Sequence, residues 1–201
     1  MVNPPPQNPQ SSQRRDGAAT RERLMRAALE LFTTLGYHGS TTPQIAQRAG
    51  IAEGTIYRHF SGKQVLLNEV YRVGVTTFTR LLRDATRDGT YRERLERVAT
   101  TWRDLAVRQP ALVRLVFLAR IRSLLDQRSR EAWAELRGEI ESLIASAKAA
   151  GEVRPGPADL WADIWLQLIT LMLERVANKE WQPDQSAVRQ VIDSAWGVMK
   201  S

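Results

Sequence analysis

Apolar side chains in this chain recur every three to four residues, and almost no stretch alternates with period two. That spacing builds amphipathic helices, so the expected fold class is all-α. Stop and start signals divide the pattern into helices over about 20–35, 42–49, 52–60, 61–87, 92–108, 110–127, 129–150, 157–178 and 184–199. Leu24, Ala28, Leu31 and Leu35, widened by Ala27 and Phe32, form the buried stripe of the first. Ahead of it, residues 1–13 carry four of the nine prolines among Asn, Gln and Ser, a composition that cannot pack. Residues 1–15 are therefore expected to be a disordered N-terminal tail, with Arg14 and Arg15 at its end as solvated charges.

Composition excludes several kinds of chemistry. There is no cysteine, hence no disulfide, thiolate zinc site, iron–sulfur cluster or cysteine nucleophile. With His38 and His59 the only two histidines, a multi-histidine metal centre has no ligands, and neither metal nor cofactor is expected. No phosphate loop, G-x-S-x-G or H-E-x-x-H motif occurs, so the chain does not read as an enzyme. The longest strongly apolar stretch, Ile164–Leu173, is ten residues against the ~20 of a membrane span. The N-terminus lacks the apolar region of a secretory signal, and a cytoplasmic protein is expected. The net charge is +7; residues 1–64 hold 8 basic and 4 acidic side chains, so the excess concentrates where an anionic partner would bind.

The most informative segment is TTPQIAQRAGIAEGTIYRHFSGKQVLL, residues 41–67. Ile45, Ala46 and Ala49 mark the inner face of one short helix, Ala46 being small where two helices approach. Gly50 permits a sharp turn at positive φ. Ile51, Ile56 and Phe60 complete a shared core, which is helix-turn-helix spacing. At 100° per residue, Gly54 and Arg58 lie opposite Ile56 and Phe60, flanked by Thr55 and Tyr57. That outer face offers a bare backbone, a hydroxyl, a phenol and a guanidinium able to fork onto guanine. His59, and Lys63 at the next helix start, reach toward phosphates. Glu53 is the odd member, an acid on a face meant for phosphate.

Together with the preceding RERLMRAALELFTTLGYHGSTT, these residues closely resemble the DNA-binding domain of the TetR (TetR/AcrR) family of transcriptional regulators, over about residues 20–67. The resemblance implies a DNA-binding domain over 16–64 and an effector-binding and dimerisation domain over 65–201. It implies that residues 42–49 brace the DNA backbone, with Thr42 and Gln44 as contacts, and that Ala52, Glu53, Gly54, Thr55, Tyr57, Arg58 and His59 lie on the recognition helix. Lys63 matches the family's motif lysine. The function implied is a ligand-responsive repressor of a palindromic double-stranded DNA operator, released by a small apolar or aromatic effector. A DNA-binding activator, or an effector-independent regulator of the same fold, is the alternative.

The remaining residues hold all six tryptophans. An effector pocket, again implied by the resemblance, is expected near Trp102, Phe117, Arg120, Trp133, Trp161 and Trp165. The helix over 110–127 reads as apolar on almost every side and therefore central. The last two helices are apolar on two faces each, which calls for partner helices. The resemblance makes the partner a second copy, in a homodimer joined through Leu168, Met172, Val188, Val191, Ile192, Ala195 and Trp196.

Overall fold

The computed structural model describes residues 9–201, with side chains from residue 16 onward, and residues 1–8 of the expected tail lie outside it. Among the described residues the fold is helical throughout. It holds no strand, only an isolated bridge between Val153 and Lys200. It divides into two compact units, the first reaching Val70 and the second beginning at Tyr71, six residues beyond the boundary expected at 64.

The first unit contains α1 (Pro9–Thr34), the single turn α2 (Gly36–Gly39), α3 (Thr42–Ala49), α4 (Glu53–His59) and the beginning of α5 (Lys63–Ala85). Helix α1 starts at Pro9 and not near Thr20, so residues 9–15 are helical where a tail was expected. It also stops one residue early, which leaves Leu35 51% exposed at the end of its expected stripe. Residues 36–39, expected as a plain turn, close one helical turn. Leu24, Ala28, Phe32, Ile45, Ala46, Ile56, Phe60, Leu66 and Leu67 are buried and form the core of this unit. Arg48 adds a two-pronged ion pair to Glu30 of α1, its Nε donating to Oε2 at 2.9 Å and its Nη2 to Oε1 at 2.5 Å.

The second unit contains the rest of α5, then α6 (Tyr91–Arg108), α7 (Pro110–Val113), α8 (Gln127–Ala149), α9 (Ala158–Ala177) and α10 (Ser186–Gly197). Thr90 and Glu93 close a capping box at the start of α6, the Thr90 N–H donating to Glu93 Oε2 at 2.9 Å. Trp102 and Trp165 sit at the centre of the core, their ring centroids 6.0 Å apart, with Phe78 edge-on to Trp102 at 5.2 Å.

The expected single helix over 110–127 does not form. After α7 the chain makes one wide turn, Arg114–Leu118, whose Ala119 N–H donates to the Arg114 carbonyl five residues back at 2.8 Å. Ala119 is extended, and a short 3₁₀ turn at Arg122–Leu124 precedes α8. The reason is phase. Ile121 follows Leu112 by nine residues, and Leu125 follows Val116 by nine. Nine residues of unbroken helix rotate by about 900°, half a turn out of phase. A straight helix would turn Ile121 and Leu125 away from the core that holds Leu112 and Val116. Breaking it buries all four.

Candidate nucleic-acid interface and ligand cavity

The first unit presents α3 and α4 on a scaffold that fixes both ends of each helix. Thr41 caps α3; its Oγ1 accepts the Gln44 N–H at 3.4 Å, and Gln44 Oε1 accepts the Thr41 N–H at 2.9 Å. Gln44 thus spends its carbonyl oxygen inside the protein and keeps its amide N–H groups as donors. Gly50 ends α3 at φ +66°, its N–H donating to Gln47 O at 3.1 Å while the Ile51 N–H donates to Ala46 O at 3.0 Å. This Schellman turn sets the direction of α4. Ala52 stands just outside α4 as its N-cap and brings no side-chain cap. Glu53 in the first turn offsets the positive end of the helix, a local reason for an acid on this face.

Burial around α4 follows the helical wheel. Ile56 and Phe60 are buried, while Gly54, Tyr57 and Arg58 are exposed and Thr55 and His59 half-buried. Tyr57, 54% exposed, shares a 3.1 Å hydrogen bond between its hydroxyl and that of Thr42, which ties the outer face of α4 to the start of α3. Gly54 is the telling residue. An added Cβ would meet nothing within 4 Å, so nothing inside the protein requires glycine there. Glycine within a helix costs ~0.5–1 kcal/mol relative to alanine. The bare backbone of Gly54 therefore lies open on the exposed face of α4.

Lys63 departs from the expectation of a phosphate ligand. Its Nζ donates to the carbonyls of Tyr37 and Ser40, each at 2.7 Å, and lies 4.2 Å from the Tyr37 ring centroid. Two of its three donors hold α2 and the following loop to α5. Three of the basic side chains of this region, Arg21, Arg26 and Arg48, are held in ion pairs with Glu69, Glu22 and Glu30.

The second unit holds a cavity of about 290 Å³ beside the break after α7. Val116, Phe117, Ile121, Leu125 and Trp133 form its apolar walls; Tyr71, Arg122 and Arg130 are its polar members, with Ala119 at the bend. Of the residues expected at a pocket, Phe117 and Trp133 line this one, their rings 5.6 Å apart and edge to face. Trp102 and Trp165 are fully enclosed core and line no part of it. Trp161 lies elsewhere, with the Arg154 guanidinium 5.1 Å from its ring centroid. Arg120 is exposed, and Arg122 takes the place at the cavity. Tyr71, Ile121, Arg122, Leu125 and Arg130 were not anticipated; the half-turn phase slip between Leu112 and Ile121 is the sequence signal that marks them. Burial pushes the Tyr71 hydroxyl up to about 12, and the positive charge of Arg122 pulls it partly back. Tyr71 is therefore a neutral hydrogen-bond donor near pH 7.

The expected dimer residues separate in the same way. Met172, Val188, Ile192 and Ala195 are core within the protomer, which removes them from an outer face. Leu168, Val191 and Trp196 stay half-exposed. On α9, Leu160 is 48% and Leu171 38% exposed, and with Ile164 and Leu168 they follow i, i+4, i+8, i+11 on the side away from the core. No helix among the described residues is long and apolar enough to cross a membrane.

Residues 24–70 match the family model described as bacterial regulatory proteins, tetR family. The HTH-type transcriptional regulator SrpR of Pseudomonas putida is 45% identical over 51 residues, which are 25% of this chain and 24% of that protein. The chain thus spans about a quarter of that curated relative. Across the whole fold, a TetR family transcription regulator from Marinobacter aquaeolei superimposes with TM-score 0.81 at 18% identity, covering 94% of this chain and 99% of the other. The transcriptional regulator FadR from Bacillus subtilis, solved in complex with stearoyl-CoA, superimposes with TM-score 0.71 at 22% identity, covering 87% and 96%.

Proposed function

We propose that the chain, whose residues 24–70 match the tetR family of bacterial regulatory proteins, is a ligand-responsive transcriptional repressor that binds a palindromic operator as a homodimer. The observation that carries the reading is the outer face of α4. Gly54 has no internal reason to be glycine, and no protein partner holds the exposed Arg58 side chain among the described residues. Arg58 forks onto a guanine edge, and Thr55 meets a thymine methyl or a phosphate. Thr42, Gln44 and Tyr57 bring hydroxyl and amide donors to the backbone alongside. Two copies joined by a two-fold axis read two half-sites, which is why the operator is palindromic.

The second copy docks on the outer stripe of α9, Leu160, Ile164, Leu168 and Leu171, together with Val191 and Trp196 of α10. The cavity of about 290 Å³ takes the effector. An effector at a hundredfold its Kd, bound only in the DNA-incompetent state, stabilises that state by ~2.7 kcal/mol, roughly a hundredfold in operator affinity.

The test is fluorescence-polarisation binding to DNA upstream of the protein's own gene, near physiological salt and with non-specific competitor. Saturable binding of one or more dimers per palindrome is expected. Arg58→Ala should lose about 1–3 kcal/mol of discrimination against altered sites. Binding that disappears under competitor, or an Arg58→Ala variant with unaltered preference, rejects the assignment. Derepression of a reporter on deleting the gene is the expected sign of regulation, and loss of expression would make the protein an activator.

A further inference from the structure

The cavity beside the break after α7 is chemically lopsided. Most of its lining is apolar, Phe117 and Trp133 included, while Tyr71, Arg122 and Arg130 are its polar members, Arg122 close enough to act on the Tyr71 hydroxyl. Tyr71 is 4% exposed, yet its hydroxyl takes no hydrogen bond among the described residues. Among the described residues no side chain holds the Arg122 guanidinium by a hydrogen bond or ion pair, although it acts electrostatically on the Tyr71 hydroxyl. The carboxylate nearest in sequence, Asp126, is committed elsewhere. It accepts the Ser129 N–H at 2.8 Å as the cap of α8 and receives Arg72 Nη1 at 2.9 Å. Arg130 is also occupied, donating to the Leu125 carbonyl and, at 3.1 Å, to Gln127 Oε1. Among the described residues no carboxylate lines the cavity.

We propose that this cavity takes a monocarboxylate, its apolar body against Phe117 and Trp133 and its carboxylate held by Arg122 and the Tyr71 hydroxyl. This deepens, and rests on, the reading of the second unit as an effector-binding domain. A planar guanidinium presents two parallel N–H groups that match one carboxylate. The phenol supplies a third donor, and burial keeps it protonated near pH 7. A ligand with no acceptor would leave the phenol unpaired in an apolar site, and a carboxylate is the acceptor that also complements the charge of the guanidinium. Size follows from volume. A cavity of ~150 Å³ holds benzene, about 25 Å³ per carbon. The 290 Å³ here then accommodates roughly a dozen non-hydrogen atoms, a C8–C10 alkanoate or an arylalkanoate of similar bulk.

The experiment is calorimetric titration of the full chain with decanoate, 1-decanol and decanoyl-coenzyme A, in parallel with operator binding by polarisation. Decanoate should bind saturably, one per chain, at least tenfold tighter than decanol. Arg122→Gln should bring decanoate down to the level of decanol, and Tyr71→Phe should weaken it several-fold. Arg122 is exposed, so its replacement leaves the core intact, which thermal melts of both variants will check. Equal affinity for decanoate and decanol overturns the proposal, as does an unchanged preference in Arg122→Gln. Binding of decanoyl-coenzyme A without decanoate overturns it in favour of a thioester. The operator arm separates the two readings. If decanoate binds and operator affinity does not move, the carboxylate site stands and the effector role fails. If neutral compounds release the operator while decanoate neither binds nor releases it, the regulator stands and the carboxylate assignment fails.

Discussion

Replacing Lys63 by methionine separates a structural clamp from a phosphate contact. Methionine keeps the aliphatic stem and removes the ammonium. The change deletes two hydrogen bonds of 2.7 Å, to the carbonyls of Tyr37 and Ser40, and the cation above the Tyr37 ring. A hydrogen bond from a charged donor contributes ~1.5–3 kcal/mol net, and a cation over an aromatic ring ~0.5–1 kcal/mol at exposed sites. Lys63 is half-buried, so water re-solvates part of what is lost. Halving the hydrogen-bond term and adding the ring contribution leaves a destabilisation of about 2–4 kcal/mol for the first unit. For a unit of this size that lowers its transition by roughly 10–30 °C. Hydrogen exchange of the intact protein is the direct assay. Amides of residues 37–49 should lose protection by the same free energy, and those of α8 and α9 should keep theirs. At a temperature where the variant is fully folded, the slope of log affinity against log salt should match that of the unchanged protein. A stability change under ~0.5 kcal/mol, with a salt slope lower by about one, would refute the clamp and return Lys63 to the phosphate backbone.

Three further outcomes follow from the same geometry. Gly54→Ala should raise the stability of the first unit by up to ~1 kcal/mol in a thermal melt, since its Cβ meets nothing in the protein. It should weaken operator binding at least several-fold, and undiminished affinity would mean that nothing approaches that backbone. If the proposed dimer forms through α9, Leu171→Glu should convert it to monomer in sedimentation velocity without unfolding the chain, because Leu171 is 38% exposed on the protomer. A variant that stays dimeric would move the interface off α9. The Arg137 guanidinium, donating to Asp163 Oδ1 at 2.8 Å and Oδ2 at 3.0 Å, holds the Asp163 carboxyl below its ordinary value. Its stabilisation is then complete above the unfolded carboxyl's pKa of ~3.9 and is lost as pH falls through the lower folded value. Urea titrations of Asp163→Asn between pH 5 and pH 2 should show a shallower loss of stability than the unchanged protein, and equal slopes would exclude the pair.

Much of this protein is legible without coordinates, and the reason is local. Helix periodicity, the turn at Gly50 and the 100° wheel around Ile56 are properties of a few consecutive residues, and they placed α3, α4 and the outer face of Gly54, Tyr57 and Arg58 correctly. What the sequence left open depends on which group meets which across long separations. Lys63 reads as a free cation until Tyr37 and Ser40, more than twenty residues earlier, supply the carbonyls that hold it. Trp102 and Trp165 read as pocket aromatics until the second unit packs and closes them into its centre. Met172 and Ile192 read as an outer face for the same reason. The segment after Pro110 lies between the two cases. Its residues favour helix, yet burying Leu112, Val116, Ile121 and Leu125 in one core requires a half-turn correction that no single helix supplies. Local propensity decided where helices form; the packing of a shared core decided where one had to break, and with that break the cavity, Tyr71 and Arg122 came together.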